Sequence, residues 1–457
     1  LNVALLADKT INIRIDLKRF SEPSLHIDNW KHRILNKALT AYILLIRKHH
    51  GFKDIEAALL IIEGLKTEQQ YYEEEYLKTF PINEEMHEAY LLLGLYHLSK
   101  ALIETATYLV KGYEYRERID AVIRQHLDVA KKASKSEPRI VSILNMFEIG
   151  LNILHKNAIW TNTKFNDKIR ELCRRKADMG MLELLPSQRE ALGDNLLDVA
   201  ANVTVLQMPT SAGKTLLAEF NIIITKALRA DAKIVYIVPS RALVNQVYFD
   251  LKSDLEELGI FIEKTSSAIE VDPTENSFLT GDDKIDVLIS TPEKLDLLIR
   301  RRHPSVDDVS MFIVDEAHTI QNGERGAKLE LLLAILRRER PNAKYMLLSP
   351  FIKNANETIT AWLGGGNSIF VDWKPSEKLI IGLNTKITKT KNEIHLEVLN
   401  SPYDSVKPIE KTVFDNPYNI LSSGDKDKIL EVSVKHFSEK DKTMLLLCYG
   451  KGTANKR

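Results

Sequence analysis

The sequence has few of the residues that build a disulfide framework, a zinc site or a membrane span. Its 457 residues include two cysteines, Cys173 and Cys448, which lie far apart without a CxxC pair or a Cys/His cluster, and this favours a reducing compartment. No apolar run approaches the roughly 18–20 residues of a membrane helix, and Leu1 to Thr10 contain no charged leader with a long apolar segment. We therefore expect a cytoplasmic protein without membrane contact.

Net charge is absent as well. The chain has 63 Lys and Arg against 63 Asp and Glu, so its total charge gives no argument about nucleic acid, although local basic patches are compatible with this balance. A hydrophobic content of 44% at this length predicts more than one core. The chain begins with Leu1 and stops at Lys456-Arg457, before a second lobe would be complete, so we expect a fragment.

One glycine- and hydroxyl-containing stretch follows the apolar, β-branched run Val203–Gln207. It reads Met208, Pro209, Thr210, Ser211, Ala212, Gly213, Lys214, Thr215. The small residues let the chain turn tightly with backbone N–H groups aimed at a phosphate, and a helix from Lys214 to Leu228 would add its positive N-terminus. Lys214 would reach the β- and γ-phosphates of ATP, and the Thr215 hydroxyl would hold Mg²⁺. Met208 stands where the strict pattern has its first glycine.

An acidic pair ends a second strand-like run. Ser310–Val314 is followed by Asp315-Glu316-Ala317-His318, at the strand end where ligands of open α/β sheets collect. Asp315 would bind Mg²⁺, directly or through water, and Glu316 would position and deprotonate the attacking water, because phosphoryl transfer requires both roles. We expect these carboxylates and Lys214 to meet at neighbouring strand ends. The alternative is a solvated acidic pair at an ordinary strand end.

The first part of the chain is helical by pattern, which predicts an α-helical domain over residues 1–180. Its apolar-rich segments are Ala41–Ile46, Ala57–Ile62, Met86–Val110 and Val141–Leu154. Gly51 and Gly64 follow such segments and are predicted to end helices. A basic run directly precedes residue 181: Lys164, Lys168, Arg170, Arg174, Arg175, Lys176. Such a run is either a solvated helix face or an extension of a nucleic-acid path.

From Leu184 onward, short β-branched strands alternate with amphipathic helices, which predicts an α/β domain with a parallel sheet over residues 181–370. The predicted strands are Val203–Gln207, Lys233–Val238, Asp286–Ser290, Met311–Val314 and Tyr345–Leu348. Ile269–Asp283 is predicted as an exposed connection, and Gly364 to Pro375 as a hinge. A hairpin (Leu379–Leu399), a helix (Asp425–His436) and a strand (Thr443–Cys448) would begin a further α/β domain over residues 371–457.

Several further motifs stand in a fixed order around the phosphate loop and the acidic pair. They are Pro186-Ser187-Gln188, Val238-Pro239-Ser240-Arg241-Ala242-Leu243, Thr291-Pro292-Glu293-Lys294-Leu295-Asp296 and Leu348-Ser349-Pro350. In this order the chain resembles the first motor domain of superfamily 2 helicases, and the superkiller-like (Ski-type) DEAD/DEAH-box branch in particular. The resemblance implies a RecA-like motor domain, preceded by the α-helical domain and followed by the start of a second RecA-like domain.

The resemblance also implies roles for individual residues. Gln188 would read adenine through its two-faced amide, unless it is only a polar residue at a helix start. Contacts to a sugar-phosphate backbone would come from Pro239, Ser240, Arg241, Ala242, Thr291 and Pro292, with Thr291 and Pro292 opening a helix over Glu293–Arg302. For Arg241 the alternative is a plain surface arginine. His318 would link the γ-phosphate to the opposite lobe.

Two departures from the family pattern affect the functional prediction. Ser349-Pro350-Phe351 stands where the family usually has Ser-Ala-Thr, which puts the coupling of hydrolysis to strand movement in doubt, and no later motif with an arginine finger is present. From the ordered motifs we nevertheless expect a Mg²⁺- and ATP-dependent motor that translocates on or unwinds DNA, with RNA as the other substrate. The alternative is an ATP-gated sensor or clamp that regulates a partner nuclease without processive unwinding. The helical domain before the motor resembles the layout of bacterial anti-phage helicase subunits of the Hachiman type.

Overall fold

The computed structural model of this chain describes residues 2–7, 17, 29–48, 50–79, 86–115, 118–265, 285–350, 352 and 354–374, and the backbone of 380–387, 392–400 and 413–415. The chain divides into two compact units, residues 1–374 and 375–457. The first unit contains both the helical region and the parallel sheet, and the second contains the last three strands.

Helices fill the described residues up to 178, as the apolar periodicity predicts. They are α1 (Asn2–Leu6), α2 (Trp30–Arg47), α3 (Phe52–Thr79), α4 (His87–Lys111), α5 (Ile119–Ala133), α6 (Pro138–Asn157), α7 (Ile159–Asn162) and α8 (Asp167–Asp178). Gly51, at φ 59°, makes the turn between α2 and α3. Gly64 lies inside α3, so the prediction that it ends a helix is wrong. The buried neighbours Ile62 and Leu65 hold the helix through this position, which outweighs the roughly 1 kcal/mol cost of an internal glycine.

Seven parallel strands form the sheet that follows, in the order β3-β4-β2-β5-β6-β1-β7. Their bounds are β1 (Val203–Gln207), β2 (Lys233–Ile237), β3 (Ile262–Lys264), β4 (Val287–Ser290), β5 (Val309–Val314), β6 (Lys344–Ser349) and β7 (Asn367–Phe370). The five predicted strands and the α/β class are confirmed. Most residues of the central strands are buried, as expected of a parallel sheet covered on both faces.

Two short strands were not predicted from the sequence. β3 has three residues, and β7 falls inside the segment predicted as a hinge, so that part of the hinge prediction is wrong. β7 pairs with β1 in parallel. The close approach depends on Gly366, since a Cβ there would lie 1.9 Å from the carbonyl oxygen of Val203.

The helices that cover the sheet are α9 (Pro186–Gly193), α10 (Lys214–Leu228), α11 (Arg241–Leu255), α12 (Pro292–Arg300) and α13 (Gly323–Glu339). Alternate strand residues pack into two cores, so Val203 and Val205 belong to one and Leu206 to the other. The core that contains Leu206 is continuous with the apolar interior of α2–α8. One face of the sheet therefore shares its core with the helical region.

The second unit begins with an antiparallel pair, β8 (Ile380–Ile387) and β9 (Asn392–Asn400), in which Ile387 pairs with Asn392. This agrees with the predicted hairpin. A third strand, β10 (Val413–Asp415), pairs antiparallel with β9. The predicted helix Asp425–His436, the strand Thr443–Cys448 and the connection Ile269–Asp283 lie outside the described residues. Within the described ranges, no helix has the length and apolar composition needed to cross a membrane.

Candidate functional site

The loop between β1 and α10 has the shape of a phosphate cradle. Ser211 at φ 63° and Gly213 at φ 85° are both in the left-handed region, which turns the chain back toward the helix. Helix α10 begins at Lys214, as predicted, and no side chain caps its N-terminus. The first N–H groups of this long helix therefore point into the loop without a side-chain acceptor, which suits a bound phosphate.

Lys214 points back over this loop toward the acidic pair. Its Nζ lies 3.4 Å from the carbonyl oxygen of Met208 and 3.9 Å from Oε1 of Glu316. Burial lowers the pKa of Lys214, while the charges of Glu316 and Asp315 raise it. The ammonium is thus held between the loop and the carboxylates, where the terminal phosphates of a nucleotide are expected.

Asp315 and Glu316 follow β5 directly. The Asp315 N–H donates to the carbonyl oxygen of Ile237 at 2.8 Å, which continues the ladder beyond β5, and the chain then turns through Glu316 at φ 49°. Oδ1 of Asp315 accepts from the Glu316 N–H at 2.9 Å, and Tyr236 donates to Oδ2 at 3.4 Å. Burial raises the pKa of Asp315, against the lowering effects of the Glu316 N–H and Lys214.

His318 and Thr215 complete the predicted set. Nδ1 of His318 lies 3.2 Å from Oε2 of Glu316, and Thr215 is exposed in the first turn of α10. Lys214, Glu316 and His318 therefore form a contact chain at the carboxyl edge of the sheet. β1, which leads into the phosphate loop, and β5, which leads into the acidic pair, are separated by β6. The prediction that these two sites follow neighbouring strands is therefore wrong by one strand.

The donor set suits magnesium better than a metal held by protein alone. In the described part of the chain, no group of three or more His, Cys, Asp or Glu side chains could hold a metal ion. Mg²⁺ usually takes one or two protein oxygens and fills its remaining positions with phosphate and water. The carboxylate of Asp315 and the exposed hydroxyl of Thr215 match that requirement.

Gln188 packs against the phosphate loop. Its Nε2 donates to the carbonyl oxygen of Gly213 at 3.1 Å, and its Oε1 accepts from the N–H of Leu185 at 2.9 Å. A Cβ at Gly213 would lie 2.3 Å from that Nε2, so only glycine allows this contact. The amide thus links the start of α9 to the loop, and the predicted contact with adenine remains a prediction.

The last residue of β6 and the residues after it carry the sequence departure from the family's Ser-Ala-Thr pattern. Oγ of Ser349 is buried and has no hydrogen-bond partner within the described ranges. Its carbonyl oxygen accepts from the N–H of Met208 at 2.9 Å, which ties β6 to the phosphate loop. Pro350 follows, and Phe351 lies outside the described residues.

A cleft of about 780 Å³ opens at the same edge of the sheet, beyond β2 and β4. Four of the predicted nucleic-acid residues line it, namely Pro239, Ser240, Arg241 and Thr291, whereas Ala242 and Pro292 are not among its lining residues. The hydroxyls of Ser240 and Thr291 cap α11 and α12 by accepting from N–H groups at 3.4 and 3.3 Å. Two helix N-termini therefore border the cleft, an arrangement that attracts phosphate groups.

Further cations line this cleft that the sequence analysis did not assign to nucleic acid. They are Lys294, Arg300 and Arg325. Arg300 is paired with Asp296 at 2.8 Å and lies in the last turn of α12, where a cation suits the negative end of the helix dipole. Arg325 lies near the start of α13, beside Gly326. A Cβ at Gly326 would lie 2.1 Å from the carbonyl oxygen of Ile320, so glycine lets α13 pack against the turn that follows the acidic pair.

The basic run before residue 181 was predicted to be either a solvated helix face or part of a nucleic-acid path, but three of its residues contact another helix of the fold. Arg175 donates to the carbonyl oxygens of Ser253 at 3.1 Å and Asp254 at 3.2 Å, at the C-terminus of α11. Lys176 pairs with the carboxylate of Asp254, and Lys168 donates to the carbonyl oxygen of Leu258 at 2.9 Å. These cations satisfy carbonyl groups at a helix end, where the dipole is negative. These contacts therefore hold α8 against the C-terminal end of α11.

Fold and site together define an α/β domain with the features expected of a phosphate-binding loop. Residues 186–357 match the family model described as DEAD/DEAH box helicase. This part of the chain is therefore similar to DEAD/DEAH box helicase domains, and its parallel sheet with flanking helices has the RecA-like fold.

Curated relatives point to the same class. The chain is 33% identical over 253 residues to the ATP-dependent DNA helicase Hel308 of Methanocaldococcus jannaschii, a match that covers 53% of this chain and 20% of that protein. It is 36% identical over 210 residues to Hel308 of Pyrococcus abyssi, over 46% of this chain and 27% of that one. The chain thus spans about a quarter of the length of these relatives. A hypothetical ATP-dependent RNA helicase from Sulfolobus tokodaii shares 19% identity over 45% of this chain and 57% of its own, with a TM-score of 0.36, a level that supports no functional assignment.

Proposed function

We propose that this chain carries the ATP-binding part of a helicase-type motor that hydrolyses ATP to translocate on or unwind DNA. The observation that carries the proposal is the placement of Lys214 Nζ 3.9 Å from Glu316, beside Asp315 and the uncapped helix N-terminus. The cleft lies at the same sheet edge, because its residues follow the carboxyl ends of parallel strands. The DNA helicase names of the relatives support DNA over RNA.

Each residue in the site has a role in this proposal. The loop N–H groups and Lys214 bind the β- and γ-phosphates, while Thr215 and Asp315 hold Mg²⁺, which neutralises charge on the phosphates when bound. Glu316 orients the attacking water and accepts its proton. His318, in contact with Glu316, would link the γ-phosphate to the opposite lobe, as the family resemblance implies.

The central test is ATP hydrolysis by the full-length protein with and without single-stranded DNA. Replacing Glu316 with Gln removes the base while keeping the side chain's shape, so we expect turnover to fall by a factor of about 10²–10⁴. Glu324→Gln is the matched control, because Glu324 is exposed and pairs with Lys328 on α13. Equal turnover in Glu316→Gln and wild type would refute the assignment of the base. Replacing DNA by RNA in the same assay decides between the two substrates.

A second candidate is an ATP-gated sensor or clamp that regulates a partner nuclease. It is supported by Ser349, whose buried hydroxyl has no partner in the described ranges, and by Pro350 in place of the family's alanine. Strand displacement on a tailed duplex separates the candidates. Robust unwinding by the full-length protein would refute the sensor, whereas DNA-stimulated hydrolysis without displacement would refute the processive helicase.

Three finer assignments belong to the same proposal. The sequence Pro209–Thr215, together with Thr291-Pro292-Glu293-Lys294, supports the superkiller-like branch. The layout of a helical region before the motor supports a role as the helicase subunit of an anti-phage defence system of the Hachiman type, with an effector or nuclease subunit as partner. A cytoplasmic location is supported by the two isolated cysteines. Loss of phage protection in cells that carry Glu316→Gln would support the defence role, and full protection would count against it.

A further inference from the structure

One helix of the sheet domain carries a large aromatic side chain that the fold does not bury. Phe249 on α11 is 63% exposed, and its ring centroid lies 5.4 Å from that of Tyr248. Nζ of Lys264 lies 4.5 Å from the Tyr248 ring and 5.1 Å from the Phe249 ring. These three residues are called the aromatic–lysine patch below.

The ring of Phe249 takes no part in the packing of α11, whereas Tyr248 is half-buried and packs against the core. The helix is anchored by Val244, Val247 and Leu251, which are all buried. Phe249 lies outside that buried stripe. An exposed aromatic ring beside an ammonium is the combination that single-stranded nucleic acid recognises, because bases stack on the ring and the phosphate attracts the cation.

The patch continues from the cleft along one side of α11. Arg241 and Asn245 line the cleft, and Tyr248 lies on the same face as Arg241, two turns further on. The distance along the helix from Arg241 to Phe249 is about 12 Å. Lys264 donates to Oδ1 of Asn245 at 2.7 Å, so the patch and the cleft share a hydrogen bond.

The charge of Lys264 is available to a ligand. Within the described ranges no carboxylate forms an ion pair with it, and its contacts are the two rings and Asn245. The neighbouring Lys252 is different, since it pairs with Glu256 at 3.5 Å. Lys264 is therefore the cation of the patch.

We infer that the aromatic–lysine patch binds the part of a single strand that leaves the cleft past Arg241, with one base stacked on Phe249 and a phosphate on Lys264. The inference rests on the proposed function of the cleft and adds a contact outside it. Stacking of this kind accepts any base, as a translocating protein requires.

The experiment measures the affinity of the full-length protein for oligothymidine strands of increasing length by fluorescence anisotropy. We expect Phe249→Ala to bind long strands about 10-fold more weakly than the wild type. For short strands that fill only the cleft, its affinity should equal that of the wild type. Lengthening the strand at one end, and not at the other, should expose the difference. Phe165→Ala is the matched control, because Phe165 is also exposed and lies on the loop before α8; its affinity should equal that of the wild type.

Phe249→Trp gives a direct readout, since its indole emission should be quenched when a base stacks on it. Wild-type affinity of Phe249→Ala at every length, or unchanged emission of Phe249→Trp in the presence of the strand, would overturn the inference. The variant Arg241→Ala distinguishes failure of the inference about the patch from failure of the proposed function. If Arg241→Ala weakens binding at all lengths and Phe249→Ala does not, only the patch is wrong; if neither weakens binding, the cleft assignment fails as well.

Discussion

A buried ion pair at the far end of α10 offers a quantitative test of the fold that positions Lys214. Nζ of Lys226 donates to Oδ1 of Asp286 at 2.7 Å and to the carbonyl oxygen of Ala232 at 3.1 Å. The side chains of the pair are 5% and 2% exposed. Oδ2 of Asp286 also accepts from the N–H of Phe261 at 3.0 Å. The pair thus ties the end of α10 to the starts of β3 and β4.

Asp286→Asn should lower the free energy of unfolding by about 3 kcal/mol. Removing one partner of a buried pair costs about 3–5 kcal/mol, because the remaining charge stays buried without compensation. The lower end of this range applies here, because Lys226 can still donate to the carbonyl oxygen of Ala232. The side-chain oxygen of the new asparagine can also still accept from the N–H of Phe261. With a urea dependence of about 3 kcal/mol per molar, the midpoint should fall by about 1 M.

Urea unfolding followed by circular dichroism measures this shift. The matched control is Asp231→Asn, which breaks an ion pair with Arg229 just beyond the same helix. That pair is exposed to solvent, so the urea midpoint of Asp231→Asn should stay close to that of the wild type. A midpoint for Asp286→Asn as close to wild type as that of the control would refute the reasoning.

Two further predictions concern the phosphate loop and a buried thiol. Gly213→Ala should abolish ATP binding measured by calorimetry, because φ is 85° and the new Cβ would lie 2.3 Å from Nε2 of Gln188. The control Gly193→Ala should bind ATP normally, because a Cβ at Gly193 meets nothing within 4 Å. Normal binding by both variants would contradict the loop geometry. Burial raises the pKa of Cys173 to about 11, so at pH 8 it should react with iodoacetamide about 100-fold more slowly than an ordinary thiol. Mass spectrometry of a Cys448→Ser variant checks this, and rapid labelling in the folded state would show that the thiol is not buried.

The elements nearest the site were predicted well because their signals are local. Val203–Gln207 is apolar and β-branched, and the helix from Lys214 to Leu228 has the predicted bounds. By contrast, β3 and β7 have three and four residues, too few to show an alternating pattern. They exist because β4 and β1 offer free edges for pairing.

Side-chain partners could not be predicted in the same way. The cations Arg175 and Lys176 have the sequence pattern of a solvated face, and only the position of the C-terminus of α11 gives them carbonyl and carboxylate partners. Likewise Arg325 has no motif of its own, and it reaches the cleft because Gly326 lets α13 approach the turn at Ile320.

The sequence by itself determined which residues are candidates for the chemistry of this protein, because a phosphate loop and an acidic pair require particular residues at fixed local spacing. Only the tertiary structure decided which residues meet across the sheet: Lys214 with Glu316, Gln188 with Gly213, and Lys264 with the rings of α11. The physical reason is that such contacts depend on strand order and helix packing, which sum many weak interactions over the whole unit, and no short stretch of sequence contains that sum.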